Sequence, residues 1–263
     1  MTTTSYVFDH AWDEERERLA GLEWALDPGT AARCERLGVG PGWRCLEVGA
    51  GGGSTAAWLA ERVQPGGHVV ATDLSTAFLE PLAGPGLEIR AHDILADPPP
   101  GTDFDLVHTR WMLHWLPDPD AGIAAMTAAL RPSGWLYVEE PDAAVLFHAS
   151  EPAVFRRVGT TWLETLRQMS GVNVELGRSV CARLGAAGLV EVDGEGRIPV
   201  LFGASPLAAF LRLGIEKVRL PMVEGGAVTA AEVAEVYEML ADPGFSTVFM
   251  ATVAAWGRKP AVT

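Results

Sequence analysis

Between Arg44 and Val138, short runs rich in β-formers alternate with stretches whose apolar positions recur at helical spacing. CLEVG, HVVATD, LEIRAHD, FDLVHTR and WLYVEE read as five strands, separated by helical runs in TAAWLAERV, STAFLEPL and DPDAGIAAMTAALR. Asp118 followed by Pro119 predicts an N-cap and first-turn pair. ADPPPGTD holds too many prolines for a helix and predicts an irregular crossover. This alternation predicts an α/β fold, a parallel sheet covered by helices.

After Pro141 the rhythm changes. Residues 142 to 178 carry helical runs with Phe147, Phe155, Trp162, Leu163, Leu166 and Met169 and no strand pattern, as expected of a cap. RSVCARLGAAGL predicts another sheet-covering helix that stops at Gly185 or Gly188, and LVEVDGEGRIPVLF returns to strand. A second helical insertion starts at Ser205 and Pro206, breaks at Gly225 and Gly226, restarts with a capping box of Thr229 and Glu232, and stops at Asp242, Pro243 and Gly244. STVFMATVAAWGR is then the last strand, expected to pair near residues 195–202. The expected organisation is one domain over 1–263, with a core of about 30–142, 178–204 and 243–260 and cap segments of about 1–29, 143–177 and 205–242.

Composition narrows the function classes. At 263 residues, 48% hydrophobic and 21% charged, the chain suits one sizeable core and excludes a largely disordered protein. The net charge of −14 repels phosphate backbones and anionic lipid, and no basic patch offsets it, so neither a nucleic-acid nor a membrane partner is expected. The mixed-sign run Glu14 to Arg18 reads as a solvated helix face. Cys34, Cys45 and Cys181 show no C-x-x-C spacing, which argues against a disulfide framework or zinc site. With no leader-like start and no 18-residue apolar run, a cytoplasmic location is expected.

The strongest chemical signal is CLEVGAGGGS, where a strand ends in an acid and enters a glycine-rich turn before a helix. Gly49, Gly51 and Gly53 let the backbone approach a ligand and turn helix N-terminal amides toward it. A dinucleotide fingerprint needs its last glycine at Ser54, and Glu47 would crowd a pyrophosphate, so a nicotinamide dehydrogenase is disfavoured. Asp73 closes the second strand about 20 residues on, placed to accept both hydroxyls of a ribose. His92, Asp93 and Ile94 close the third, offering a carboxylate for an exocyclic amine beside an aliphatic surface. A tight turn and helix-capping acids would give the same residues without a ligand.

Taken in order, E-V-G-A-G-G-G, A-T-D-L, H-D-I, F-D-L-V-H-T-R-W-M-L-H-W-L-P-D and L-R-P-S-G-W-L-Y-V-E-E over about residues 40–142 resemble a class I S-adenosylmethionine-dependent methyltransferase, of the small-molecule type found in actinomycetes. The resemblance implies a Rossmann-like seven-stranded sheet with an antiparallel final strand, and S-adenosyl-L-methionine as cofactor with S-adenosyl-L-homocysteine as product. It implies that Glu47, Gly49, Ala50, Gly51 and Gly53 hold the methionine portion and Asp73 the ribose. Leu74 and Ile94 would sandwich the adenine, Asp93 would take its amino group, and the Thr109 carbonyl would reach the methionine amine. Ser133 stands where the family usually has glycine.

Methyl transfer from a sulfonium needs alignment and desolvation first, and a base only for some acceptors. His114, five residues past Thr109, is the first candidate base; it could equally pack over the adenosine or bond a carbonyl. Glu140 and Asp142 end the fifth strand and could bind an acceptor amine or take a proton, although with Glu139 beside them some of the three are expected to be only solvated. Tyr6 and His10 could close over the site, with His10 as a second proton acceptor, or be merely structural. Thr109 and Arg110 stand where a metal-assisted enzyme would place an acid, so no metal is expected. The partner is then a small-molecule acceptor, a secondary metabolite by resemblance, and the protein a monomer or homodimer. A non-methylating enzyme that uses the same cofactor to promote a rearrangement or cyclisation would show the same cofactor residues.

Overall fold

The computed structural model describes residues 7–8, 12–143 and 152–261. It divides into two compact units, one made of Leu26–Glu140, Leu176–Gly196 and Val253–Thr263, the other of Met1–Ala25, Pro141–Glu175 and Arg197–Thr252. Tyr6, His10 and Phe147 lie outside the described residues.

The first unit is built on a seven-stranded sheet. Its strands are β1 (Arg44–Val48), β2 (His68–Asp73), β3 (Leu87–Ala91), β4 (Phe104–Arg110), β5 (Leu130–Asp142), β6 (Val190–Arg197) and, last in the chain, β9 (Ala251–Arg258). They lie in the order β3-β2-β1-β4-β5-β9-β6, mostly parallel with one antiparallel strand. This is the expected sheet. In register, Glu47 of β1 faces His108 of β4, which faces Tyr137 of β5. Side chains alternate across a strand, so each central strand feeds two cores. Leu46, Val48, Val107, Leu136 and Val138 pack on one face with Ile123 and Met126 of α3 (Pro119–Ala129) and Val180 and Leu184 of α5 (Val180–Ala186). Cys45, Leu106 and Tyr137 pack on the other with Cys34 of α1 (Glu15–Arg36) and Leu59 of α2 (Ser54–Arg62).

Local signals set many boundaries as expected. Asp118 accepts from the Ala121 amide at the start of α3, with Pro119 at its first position. Ser133 adopts φ +62°, the left-handed geometry for which glycine is the ordinary residue. STAFLEPL departs from expectation: only a 3-10 turn forms at Glu80–Leu82, because Pro81 has no N–H to donate and the chain turns again at Gly84.

In the second unit, α4 (Ala153–Ser170), α6 (Pro206–Lys217), α7 (Arg219–Glu224) and α8 (Ala230–Ala241) accompany a two-stranded antiparallel sheet of β7 (Val200–Phe202) and β8 (Ser246–Val248). The indole N–H of Trp162 donates to the Gly214 carbonyl at 2.9 Å, and Gly214 leaves room for the ring. The late strand runs are therefore not continuous. Each splits, one at Ile198 and Pro199 and the other at Phe249 and Met250, with the Phe249 amide donating to the Pro199 carbonyl. The run Glu14 to Arg18 also differs from a solvated face. Glu15 and Arg18 are buried, joined by two hydrogen bonds of 2.7 Å, and the guanidinium lies 4.0 Å from the centre of the Phe8 ring.

Thr229 and Glu232 form the expected capping box on α8. Ser205 accepts from the Ala208 amide at 3.1 Å ahead of Pro206. Ser205→Ala is expected to lower stability by about 1 kcal/mol in urea titration, and Ser205→Asp to retain it.

Candidate active site

The sheet side of the site begins where β1 runs out of strand. Gly49, Gly51 and Gly53 all have positive φ (70°, 56° and 89°), which a side chain would strain. At Gly49 a Cβ would also come within 2.6 Å of Met112. The amides of Gly49 and Ala50 both donate to the Thr72 carbonyl, which fastens the turn to β2, and Ser54 opens α2. Asp73 continues that attachment. One carboxylate oxygen accepts from the Gly51 amide at 2.9 Å and the other from Ser75 at 3.2 Å, while the side chain remains half-buried with lone pairs left for hydroxyl donors.

Beyond β3, Asp93 is half-buried and accepts from the Leu95 amide at 2.9 Å. Ile94 packs into the sheet core and Leu74 is 70% exposed. Thr109 is buried, and its hydroxyl donates to the Val48 carbonyl at 2.8 Å, tying the end of β4 to the entrance of the glycine turn. The next residue but one, Trp111, has φ +53° and its amide donates to the Glu139 carbonyl. That kink turns the chain into Met112, Leu113 and His114.

Glu140, wholly buried, receives this segment. One carboxylate oxygen accepts from the amides of Met112 (3.1 Å) and Leu113 (2.7 Å), the other from the amide (3.2 Å) and ring Nδ1 (2.7 Å) of His114. With Nδ1–H donating to the carboxylate, Nε2 is the ring nitrogen that Glu140 does not engage. The sequence expectation that some of Glu139, Glu140 and Asp142 are only solvated does not hold, since all three are buried. Asp142 belongs to the second unit.

Glu47 is also buried, and the cause was not legible in the motif. It faces His108, whose Nδ1 lies 2.6 Å from Glu47 and whose Nε2 lies 3.2 Å from Glu139. Both ring nitrogens meet a carboxylate, so both carry protons and the ring is an imidazolium. Glu139 further accepts from the Thr30 hydroxyl at 2.5 Å. Arg110 donates to Thr30 (2.9 Å) and to Asp27 (2.8 Å), and Asp27 accepts from the Ser54 hydroxyl at 3.0 Å. Burial pulls the His108 pKa down, but the Glu47 charge and the hydrogen bonds to Glu139 and Glu47 outweigh it and raise the value to about 9. Burial likewise pushes Glu139 up, and His108, Arg110 and Thr30 together bring it below the ordinary carboxylate value.

The residues present suit S-adenosylmethionine. A carboxylate bonded to the glycine turn matches a ribose diol, an exposed leucine follows it, and a bare backbone turn adjoins a cluster of three carboxylates (Asp27, Glu47, Glu139) against two cations (His108, Arg110). Among the described residues, no group of three or more His, Cys, Asp or Glu is arranged to hold a metal ion, and no helix is long and apolar enough to cross a membrane.

Comparison with known proteins agrees with this geometry. Residues 46–136, from β1 into β5, match the family model described as a methyltransferase domain. Over 123 residues the chain is 30% identical to trans-aconitate 2-methyltransferase of Mycobacterium tuberculosis, 46% of each protein. The chain spans less than half the length of the curated relatives it matches. Among solved structures, the phosphoethanolamine N-methyltransferase 2 of Haemonchus contortus, in complex with S-adenosylhomocysteine, has a TM-score of 0.63 at 16% identity, covering 99% of this chain and 61% of that one. The [4+2]-cyclase SpnF has a TM-score of 0.57 at 21% identity, covering 91% and 82%. Likenesses this distant establish the fold. The matched segment is thus similar to methyltransferase domains, and the fold is one that solved methyltransferases share.

The buried imidazolium makes stability depend on pH. A raised folded pKa contributes stability that is complete below the free-imidazole value of about 6.5 and is lost as pH rises through about 9. Urea titrations between pH 6 and pH 10 are expected to show a fall of up to about 3 kcal/mol from this group. The same fall in His108→Gln would assign it to other groups.

Proposed function

We propose that this protein transfers a methyl group from S-adenosylmethionine to a small-molecule acceptor, a secondary metabolite carrying a hydroxyl or an acidic carbon. The observation that carries this reading is the hydrogen bond from the Gly51 amide to Asp73, which joins a hydroxyl-accepting carboxylate to a backbone turn held open by three positive-φ glycines. Asp73 would hold the ribose, Asp93 the adenine amine beside Leu74 and Ile94, and Glu47 with Gly49, Ala50, Gly51, Gly53 and the Thr109 carbonyl would surround the methionine portion. When bound, the cofactor supplies a sulfonium-activated methyl.

In this reading His114 accepts the acceptor's proton at Nε2. Glu140 acts through it, as a positioning residue that holds Nδ1 protonated and fixes the ring. A net charge of −14 supports a small-molecule partner over nucleic acid, and the reading takes the protein to be a cytoplasmic monomer or homodimer.

Calorimetric titration with S-adenosylmethionine and S-adenosylhomocysteine is expected to show binding of both that collapses in Asp73→Ala, and no binding by the wild-type protein would overturn the reading. Products are expected to gain the mass of one methyl, whereas turnover without that gain would favour a rearrangement or cyclisation. His114→Ala is expected to lower kcat by about 10²-fold or more with cofactor affinity preserved. An unchanged kcat would leave the ring a packing role.

A further inference from the structure

The buried polar cluster reaches both ends of the glycine turn. At the entrance, Glu47 lies two residues before Gly49 and is held by His108. At the exit, Ser54 directly follows Gly53 and is held by Asp27. Between those points runs one unbroken series of hydrogen bonds, Glu47 to His108 to Glu139 to Thr30 to Arg110 to Asp27 to Ser54. Arg110 is its branch point. Nη1 donates to Thr30 and Nη2 to Asp27, with a longer approach of 3.5 Å from Nη2 to Ser54 itself. The guanidinium side chain is only 8% exposed, and its pKa, lowered by burial, is raised overall by the charges of Glu139 and Asp27. A planar fork with fixed donors can span two acceptors of one helix in a way an ammonium cannot.

We propose that Arg110 is a positioning residue for the glycine turn: by crosslinking Asp27 and Thr30 of α1 to Ser54 and, through Glu139 and His108, to Glu47, it holds both ends of the turn in the ligand-binding conformation. Positive φ at three glycines makes this conformation one that the turn's own residues do not enforce, because glycine visits many others at little steric cost. Order has to be imposed from outside. The Thr72 and Asp73 bonds fasten the middle of the turn, and the Arg110 series fastens its ends. The consequence for cofactor affinity rests on the function proposed above, whereas the restraint on the turn does not.

The test therefore uses two readouts on the full chain, amide hydrogen exchange of the ligand-free protein and the Kd for S-adenosylhomocysteine. In Arg110→Met, amides of residues 49–54 are expected to exchange about tenfold faster or more while those of α3 keep wild-type rates, and the Kd is expected to rise about 10- to 100-fold. Arg110→Lys is expected to recover only part of the loss. Should Arg110→Met not fold, Ser54→Ala and Asp27→Asn decide the matter, each with faster turn exchange and a Kd raised about 3- to 10-fold. Their double variant is expected to lose less than the sum of the two, because they share one hydrogen bond. Wild-type exchange at 49–54 in every folded variant, or strictly additive losses, would overturn the proposal. If wild-type protein binds no S-adenosylhomocysteine, the functional reading fails, and the exchange rates alone still decide whether the turn is restrained in this way.

Discussion

An imidazolium enclosed between two carboxylates inside a sheet is the constraint around which this domain is arranged. Removing charge from water costs several kcal/mol per ion unless each group finds a partner of opposite sign and fills its remaining hydrogen-bond positions. His108 meets that condition only because β1 brings Glu47 into register with it and β5 delivers Glu139 from the other side. Glu139 in turn needs Thr30, Thr30 receives Arg110, and Arg110 requires Asp27. Once a single charge is buried, strand pairing, the last side chain of β4 and the placement of residues 27–30 of α1 become parts of one electrostatic problem. Such a cluster specifies a register, since sliding any member by one residue would turn its charge to the opposite face.

The alternation of side chains along β5 divides the work of the site. Glu139 and Glu140 are neighbours in sequence and enter different faces, the first toward His108 and α1, the second toward His114 and the segment after β4. One carboxylate neutralises a cation with no free edge, and the other presents an imidazole whose second nitrogen is unbound to it. The same residue types therefore yield a ring held at both nitrogens on one side and a ring held by its carboxylate at one nitrogen on the other. His108 is wholly buried and His114 nearly so, so burial alone does not distinguish the two rings; what distinguishes them is whether one nitrogen or both face a carboxylate.

This distinction was invisible in the linear sequence. Strands β1 to β5, the Asp118 and Ser205 caps, the Thr229 capping box and the glycine turn were legible because each depends on residues within a few positions of one another. The glycine turn and Asp73 were legible too, as a spacing between two successive strand ends. His108 and Arg110 lay in plain view within FDLVHTR, yet a strand buried on both faces shows no polar alternation to flag them, and their partners come from 61 and 31 residues away in one case and 83 in the other. Glu139 and Glu140 read as one acidic exit because sequence alone does not say which face each enters. The burial of Glu15 and Arg18 was hidden for the same reason: a helical charge run looks solvated until the aromatic rings that cover it, Phe8 and Phe210, are placed.

The cysteines complete the picture from another direction. Cys34 and Cys45 are fully buried against the same face as the charge cluster, with thiols pushed well above their ordinary range, first by burial and then by nearby carboxylates. Cys181, the third in the chain, is partly exposed. A thiolate-directed reagent consequently finds two of three sulfurs closed off until the sheet itself opens. Thiol stoichiometry thus becomes a count of folded molecules, and the rate at which the two hidden sulfurs become reactive is a clock for the opening of the sheet beneath the glycine turn.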